Sequence, residues 1–265
     1  MTTAAGRAVR DESPQRRSVS TFAPVGWRPE PRQLMAAATV AAFAVGLWTV
    51  GSVALRVVAA LLVAEAVLMG LPWRVPRGGR SGASIWAETL AGLVAPLGAL
   101  VLTACTAPQW LTRAGEWWWF AVALAVGAGL VVLSGLRPAG LFTGELAFVL
   151  GPTPRSHGSA RAFAGAVGAV GEEILFRAPV LMVADPALLG LLAATAFVAQ
   201  HHIQPGANRR GTVRSTAVEI AGAVALLALT LASQSVYPAL LAHLVNNIPQ
   251  IVIELQRENE DRSWS

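Results

Sequence analysis

Eight apolar runs, each near the length of a membrane-spanning helix, constrain the fold of this chain more than any other feature of its sequence. An α-helix of about 20 apolar residues crosses the ~30 Å hydrocarbon core of a bilayer, and a helix satisfies its own backbone polar groups there. The pattern therefore predicts an all-α, polytopic membrane helix bundle with about eight transmembrane helices. The runs lie at 34–52, 54–72, 84–106, 117–136, 159–183, 187–203, 214–235 and 237–255.

The charge content supports a membrane protein and gives no indication of a nucleic-acid partner. Only 13% of the 265 residues are charged, whereas soluble domains carry about 25%. All 20 basic residues are arginine, and the chain is rich in alanine and valine, which is typical of a GC-rich bacterial genome. The arginines do not cluster as a binding face but stand between the apolar runs.

The arginines also predict an orientation, because cytoplasmic loops of membrane proteins carry an excess of positive residues. With eight spans and the N-terminus inside, Arg56 and Arg113 face outward, Arg177 stays within the membrane, and the other 17 arginines lie at inner segments. We therefore expect a multi-pass cell-membrane protein with both termini cytoplasmic. The first two runs are expected to form a tight hairpin, and one long span is the alternative. The inner segments are 1–33, 73–83, 137–158, 204–213 and 256–265.

Two glutamates and an arginine interrupt the fifth run, in the sequence GEEILFRAPV at 171–180. A charged residue in a transmembrane helix costs about 2.5–3.5 kcal/mol and is a functional candidate by default. Glu173 and Arg177 are four residues apart, so they predict an ion pair on one helix face. Glu172 lies about 100° around the helix and is free to point elsewhere. We expect Glu172 to be functional, while Glu173 and Arg177 either support it or form a salt bridge that only locks helix packing.

Histidines and an amide provide further polar groups in the last spans. In AFVAQHHIQPG, Phe197 and His201 are four residues apart and share a helix face, and we favour His201 over the neighbouring His202 as a functional residue. In LLAHLVNNIPQ, the same spacing places His243 and Asn247 on one face; hydrogen bonding between helices is the alternative interpretation. The remaining acids in or near the apolar runs are interpreted as edge or packing residues: Glu65, Glu88, Glu145 and Glu219.

Brought together from three helices, these groups suit the activation of a water molecule. Glu172 can take a proton from the water, and His201 can help to hold it. His243 and Asn247 can donate hydrogen bonds to the oxyanion that develops on an attacked carbonyl. The set therefore predicts peptide-bond hydrolysis.

The three motifs also resemble those of a known family. EEILFR fits the pattern EExxxR, FVAQH fits FxxxH, and HLVNN fits HxxxN, in this order and in late apolar segments. In this combination the chain resembles the CPBP family, which includes type II CAAX prenyl proteases and Abi bacteriocin-immunity proteins. The resemblance covers roughly 159–255 and implies an intramembrane glutamate-type endopeptidase. Carried over by motif, Glu172 is the base, His201 its partner on the water, and His243 with Asn247 the oxyanion side; Glu173 and Arg177 match the supporting pair.

The resemblance also implies a domain organisation and raises the question of a metal. We expect a disordered cytoplasmic tail at 1–32, N-terminal transmembrane helices at 33–158, a catalytic core at 159–255 and a cytoplasmic tail at 256–265. Glu172, His201 and His243 could supply a two-histidine, one-carboxylate set for Zn²⁺, which descriptions of the family propose. We expect chemistry without a cofactor, and the sequence leaves the zinc alternative open.

Two other functions remain open at this point. One is a non-catalytic immunity or scaffold protein that uses the polar groups to pack helices, and the other is a proton-coupled transporter that relays protons through Glu172 and the histidines. Neither the inverted repeats nor the paired broken helices of many transporters are evident in the sequence. The expected partners are the lipid bilayer and a membrane-associated peptide or protein substrate. The oligomeric state and the substrate stay open.

Overall fold

The computed structural model describes residues 30–70, 82–136, 140–141, 143–151, 153, 156–203 and 213–263. Within these ranges, the regular secondary structure is entirely α-helical, which confirms the predicted all-α class. In chain order the helices are α1 (Pro31–Val50), α2 (Val53–Gly70), α3 (Gly82–Gly92), α4 (Val94–Thr106), α5 (Gln109–Thr112), α6 (Trp118–Ser134), α7 (Glu145–Leu150), α8 (His157–Phe176), α9 (Ala178–Leu181), α10 (Pro186–Gln200), α11 (Val213–Ser233) and α12 (Tyr237–Ser263).

The predicted apolar runs all fall on helices, but two of them are broken. The run at 84–106 is divided into α3 and α4, whose axes differ by 46°. Within the run at 159–183, α8 ends at Phe176, and the short helix α9 begins after Arg177. Pro96 and Pro179 lie within a turn or so of these breaks, and proline removes a backbone donor and clashes with the preceding turn. Periodicity alone gave no indication of either break.

The number of membrane spans is smaller in the described residues than the eight that the sequence predicts. By length and apolar composition, α1 and the part of α11 from Thr216 to Ser233 can each cross a membrane, and α3 with α4 make a third if the bent pair is one span. Helices α6 and α10 are apolar but shorter. The described helices therefore support a membrane protein, whereas eight spans stay a prediction.

The first two runs form two helices rather than one, as we expected. Gly51 and Ser52 are not helical and separate α1 from α2, and the two helices pack against each other. The turn at Gly51 has no room for a larger residue, because a Cβ there would lie 2.8 Å from the Cβ of Leu55. The tail predicted at 1–32 lies almost wholly outside the described residues, as do most residues of the inner segments predicted at 73–83 and 204–213, so the orientation stays a prediction.

The C-terminal helix extends past its predicted end. We expected the last span to stop near 255, yet α12 continues to Ser263. Its extra turns bind the start of α8: both the backbone N–H and the hydroxyl of Ser159 donate to the carboxylate of Glu258, the hydroxyl at 2.7 Å. A carboxylate is favourable there because the first N–H groups of a helix have no partner within the helix.

Close helix crossings position the residues of the expected site. The interface between α8 and α12 is the most extensive in the described residues, and α4 packs on the other side of α8. At the crossing of α4 and α8, Gly171 lies directly against Pro96, so that a Cβ on Gly171 would overlap the proline ring. Gly171 precedes Glu172 in the chain, and this contact therefore sets the height of Glu172 in the bundle.

We expect Gly171→Ala to lower the thermal midpoint of unfolding in detergent, since overpacking a tight contact costs about 1–3 kcal/mol. The matched control is Gly129→Ala in α6, where a Cβ would meet no atom within 4 Å. The control should keep or raise the midpoint, because alanine is the better helix former. Equal midpoints for the two variants would contradict the close packing of α8 on α4.

Candidate active site

A buried ion pair closes the end of α8. Glu173 and Arg177 are both fully buried, and the Glu173 Oε2 lies 3.5 Å from the Arg177 Nε. The pair is the one that the four-residue spacing predicts. At 3.5 Å it is an ion pair rather than a strong hydrogen bond. Two charges removed from solvent need each other, because an unpaired buried charge costs several kcal/mol.

The guanidinium of Arg177 also rests on an aromatic ring. Its central carbon lies 4.5 Å from the ring centroid of Phe197. Among the described residues, none of its three nitrogens has a hydrogen-bond partner. The face of an aromatic ring carries partial negative charge and attracts a cation, most strongly when water is excluded. Phe197, which the sequence places in the second motif, therefore links α10 to the ion pair of α8.

His243 joins the two glutamates of the first motif. Its Nδ1 lies 2.8 Å from the Glu173 Oε1, and its Nε2 lies 3.9 Å from the Glu172 Oε2. The sequence predicts a functional His243 but gives no indication of its contact with Glu173, which comes from a helix 70 positions earlier. Because the ring nitrogens face two different carboxylates, the contact with Glu173 orients the ring and directs Nε2 toward Glu172.

The two adjacent glutamates have different environments. Glu173 is fully buried and contacts both Arg177 and His243, whereas about a quarter of the Glu172 side chain is exposed and it has only the longer approach of His243. Glu172 is therefore the carboxylate that water can reach. This is the difference that the helix geometry predicts, since consecutive side chains point about 100° apart.

His201 lies at the edge of the site rather than inside it. The residue is exposed just after the end of α10, and its Nδ1 lies 2.8 Å from the Phe197 carbonyl oxygen. Its ring meets the Phe197 ring edge to face at 5.2 Å, and His243 meets the same ring at 5.6 Å. Within the described part of the chain, no hydrogen bond or ion pair joins His201 to Glu172. The structure thus brings Glu172 and His243 together, and it sets His201 against Phe197, the ring that His243 also contacts.

Asn247 is near the site but occupied by a backbone group. It lies one turn after His243 on α12, and its Nδ2 donates to the Gly165 carbonyl oxygen at 3.0 Å. This bond ties α12 to α8 about two turns before Glu172. An amide nitrogen carries two hydrogens, so the second one can still donate. The neighbouring His202 turns away and contacts Glu219 at 3.0 Å.

One more acidic residue is buried among the described helices. The sequence interprets Glu65 in α2 as an edge or packing residue, and its side chain is buried at 5% exposure with no hydrogen-bond partner for Oε2 in the described residues. The signal that could have found it is the one that drew attention to Glu172: an acid in the middle of an apolar run. What the sequence lacks is any indication that α2 approaches this part of α8.

The described residues do not fit the zinc set considered above. No group of three His, Cys, Asp or Glu side chains among them is arranged to hold a metal ion. Glu172 and His243 approach each other, whereas the His201 Nδ1 is engaged with the Phe197 carbonyl oxygen. Structural and catalytic zinc sites need three or four protein ligands around one point.

The segment that carries the three motifs matches a known protein family. Residues 158–249 match the family of Rce1-like type II CAAX prenyl endopeptidases. The match spans the helices that carry Glu172, Phe197 and His243, and it confirms the resemblance that the motifs indicate. Neither the curated proteins nor the solved structures give a match. The Rce1-like segment, with the apolar helices around it, supports a membrane hydrolase of the CAAX-protease type.

We expect Arg177→Met to destabilise the Rce1-like segment strongly, because it leaves the buried Glu173 charge without its cation. Breaking a buried ion pair from one side costs about 3–5 kcal/mol. The matched control is Arg161→Met, since Arg161 is about half exposed and its partner Glu254 keeps a second cation, Arg257, at 3.5 Å. The loss of stability should therefore be small. The measurement is thermal unfolding of the purified variants in detergent.

The double variant Glu173→Gln with Arg177→Met separates lost charge pairing from lost packing. It removes both charges, so part of the stability should return. If the double variant unfolds as early as Arg177→Met alone, the ion pair is not what holds the end of α8.

Proposed function

We propose that this protein is an intramembrane endopeptidase that hydrolyses a peptide bond in a membrane-associated protein or peptide, with water activated by Glu172. The observation that carries the proposal is the position of His243, whose two ring nitrogens face Glu172 and Glu173. This contact leaves one carboxylate fully engaged and the other open beside an oriented imidazole. The match to the Rce1-like family supports the reaction class.

In this proposal Glu172 acts as the general base. Its carboxylate takes a proton from water while the water oxygen attacks the carbonyl carbon of the scissile peptide bond. Glu173 cannot take this role, because its two oxygens face Arg177 and His243.

His243 acts on the oxygen that becomes negative. The Glu173 carboxylate accepts from Nδ1, so Nε2 donates to an oxyanion when the ring carries both protons. A ring that faces one carboxylate on each side suits that form. Such donors, aimed at the developing charge, provide about 3–4 kcal/mol each in sites of this type.

In this proposal His201 helps to hold the water and Asn247 donates to the oxyanion, and each role requires one condition. His201 reaches the attacking water only if its ring leaves the Phe197 carbonyl, and Asn247 reaches the oxyanion with the amide hydrogen that Gly165 does not use. Catalytic hydrogen bonds are often long or misaligned before substrate binds and tighten in the complex. Substrate binding would thus complete the set. The proposal includes the predicted orientation, with both termini on the cytoplasmic side.

We expect Glu172→Gln to abolish cleavage while the protein still folds and inserts, since glutamine keeps the shape but cannot accept the proton. The measurement compares membrane peptides by mass spectrometry from cells that carry the wild type, Glu172→Gln, or the control Glu145→Gln on an exposed glutamate. The substrate should accumulate only with Glu172→Gln. An unchanged peptide set, at normal protein levels, favours the scaffold alternative; loss of a pH-dependent ion flux without a peptide change favours the transporter.

We expect Asn247→Ala to lower kcat by about 10²–10³ with little change in KM, because an oxyanion donor acts mainly in the transition state. The assay uses the peptide found in the comparison above, and Asn246→Ala is the matched control on the same turn. If Asn247 only ties α12 to α8 through Gly165, the thermal midpoint falls and kcat of the folded fraction is kept.

A further inference from the structure

Glu65 is a buried acid outside the segment that matches the family. It lies in α2 at 5% exposure, and its Oε2 has no hydrogen-bond partner among the described residues. A buried polar atom without a partner costs on the order of 1–3 kcal/mol, and native proteins pair nearly all of them with protein atoms or ordered water. We therefore expect a hydrogen-bond donor beside the Glu65 carboxyl group.

The packing of three helices connects α2 with α8. Leu61, one turn before Glu65, lies against Gly98 of α4, where an added Cβ would be 3.3 Å from a Leu61 methyl carbon. Half a turn earlier on α4, Pro96 lies against Gly171, the residue before Glu172. Both contacts are close because each involves a glycine. Helix α4 thus packs against both α2, which carries Glu65, and α8, which carries Glu172.

Glu65 is removed from water by burial, and the charge of Glu172 acts on it as well. Two carboxyl groups in a poorly hydrated region repel each other when both are charged, and a hydrogen-bond donor between them relieves that repulsion. No arginine or histidine contact is found for Glu65 in the described part of the chain. A water molecule has two hydrogens and can donate one to each carboxyl group.

We propose that Glu65 is a positioning residue of the active site, which holds the attacking water together with Glu172. The proposal rests on the proposed hydrolytic function. Glu172 takes the proton, and Glu65 fixes the second hydrogen of the water so that its oxygen points at the substrate carbonyl. An N-terminal helix outside the Rce1-like segment thereby contributes to the chemistry of that segment.

The first test compares Glu65→Leu and Glu65→Gln in the purified full-length protein. Leucine keeps the bulk and removes the hydrogen bond, so kcat should fall at least about tenfold, the value of one such bond, with KM little changed. Glutamine keeps a carbonyl oxygen at the same place and should restore most of kcat. Glu145→Leu on an exposed glutamate is the matched control and should have no effect.

Outcomes of this test separate positioning from packing. If Glu65→Leu keeps kcat, or if Glu65→Gln is as slow as Glu65→Leu at equal thermal stability, Glu65 does not position the water. If Glu172→Gln itself keeps full cleavage, Glu172 is not the base and the proposed function fails in that part; the second test then decides whether the two acids interact.

The second test does not depend on activity. The infrared carboxyl-stretch signal of Glu65 is identified as the one lost in Glu65→Gln, and it is then followed in Glu172→Gln. Two carboxyl groups that share one water change each other's vibration, so the Glu65 signal should shift in Glu172→Gln and stay in place in Glu145→Gln. A Glu65 signal that is identical in wild type and Glu172→Gln overturns the proposal.

Discussion

The arrangement of the active site depends on one buried carboxylate, Glu173. A charge without water needs partners within reach, and Glu173 has two: Arg177 one turn further along α8, and His243 from α12. Arg177 in turn rests on the Phe197 ring of α10. Three helices are therefore joined through one charge, and none of the three can shift without exposing an uncompensated group. The geometry at Glu172 follows from this, because the imidazole that faces Glu172 is the one that Glu173 orients.

The two neighbouring glutamates show how one helix can divide structure and chemistry between adjacent positions. Glu173 points into the bundle and is saturated with contacts, which makes it a rigid support. Glu172 points about 100° away and keeps part of its side chain exposed. In the proposed site, the buried Glu65 adds a second acid, from a helix that no motif includes. In the proposed enzyme, the rigid half of the site holds a histidine, and the open half holds water.

Much of the fold could be predicted from the residues alone, for reasons that are local. Apolar runs of membrane length specify helices, and the spacing of Glu173 and Arg177 specifies their ion pair. The breaks near Pro96 and Pro179 were missed although proline disfavours helix continuation, because the hydrophobic pattern runs on through both. The extension of α12 to Ser263 was missed because its last turns are polar and are held by contacts with α8 rather than by burial in an apolar run.

The candidate site could likewise be predicted only in part from the sequence. The sequence by itself determined which groups are expensive to bury and which of them share a helix face: Glu173 with Arg177, and His243 with Asn247. Only the tertiary structure decided which helices meet. It set His243 against Glu173, put both His201 and His243 against the Phe197 ring, and buried Glu65 of α2. Contacts between positions far apart in the chain depend on how side chains of several helices fit together, and close approaches such as that of Gly171 on Pro96 leave no trace in a periodic pattern.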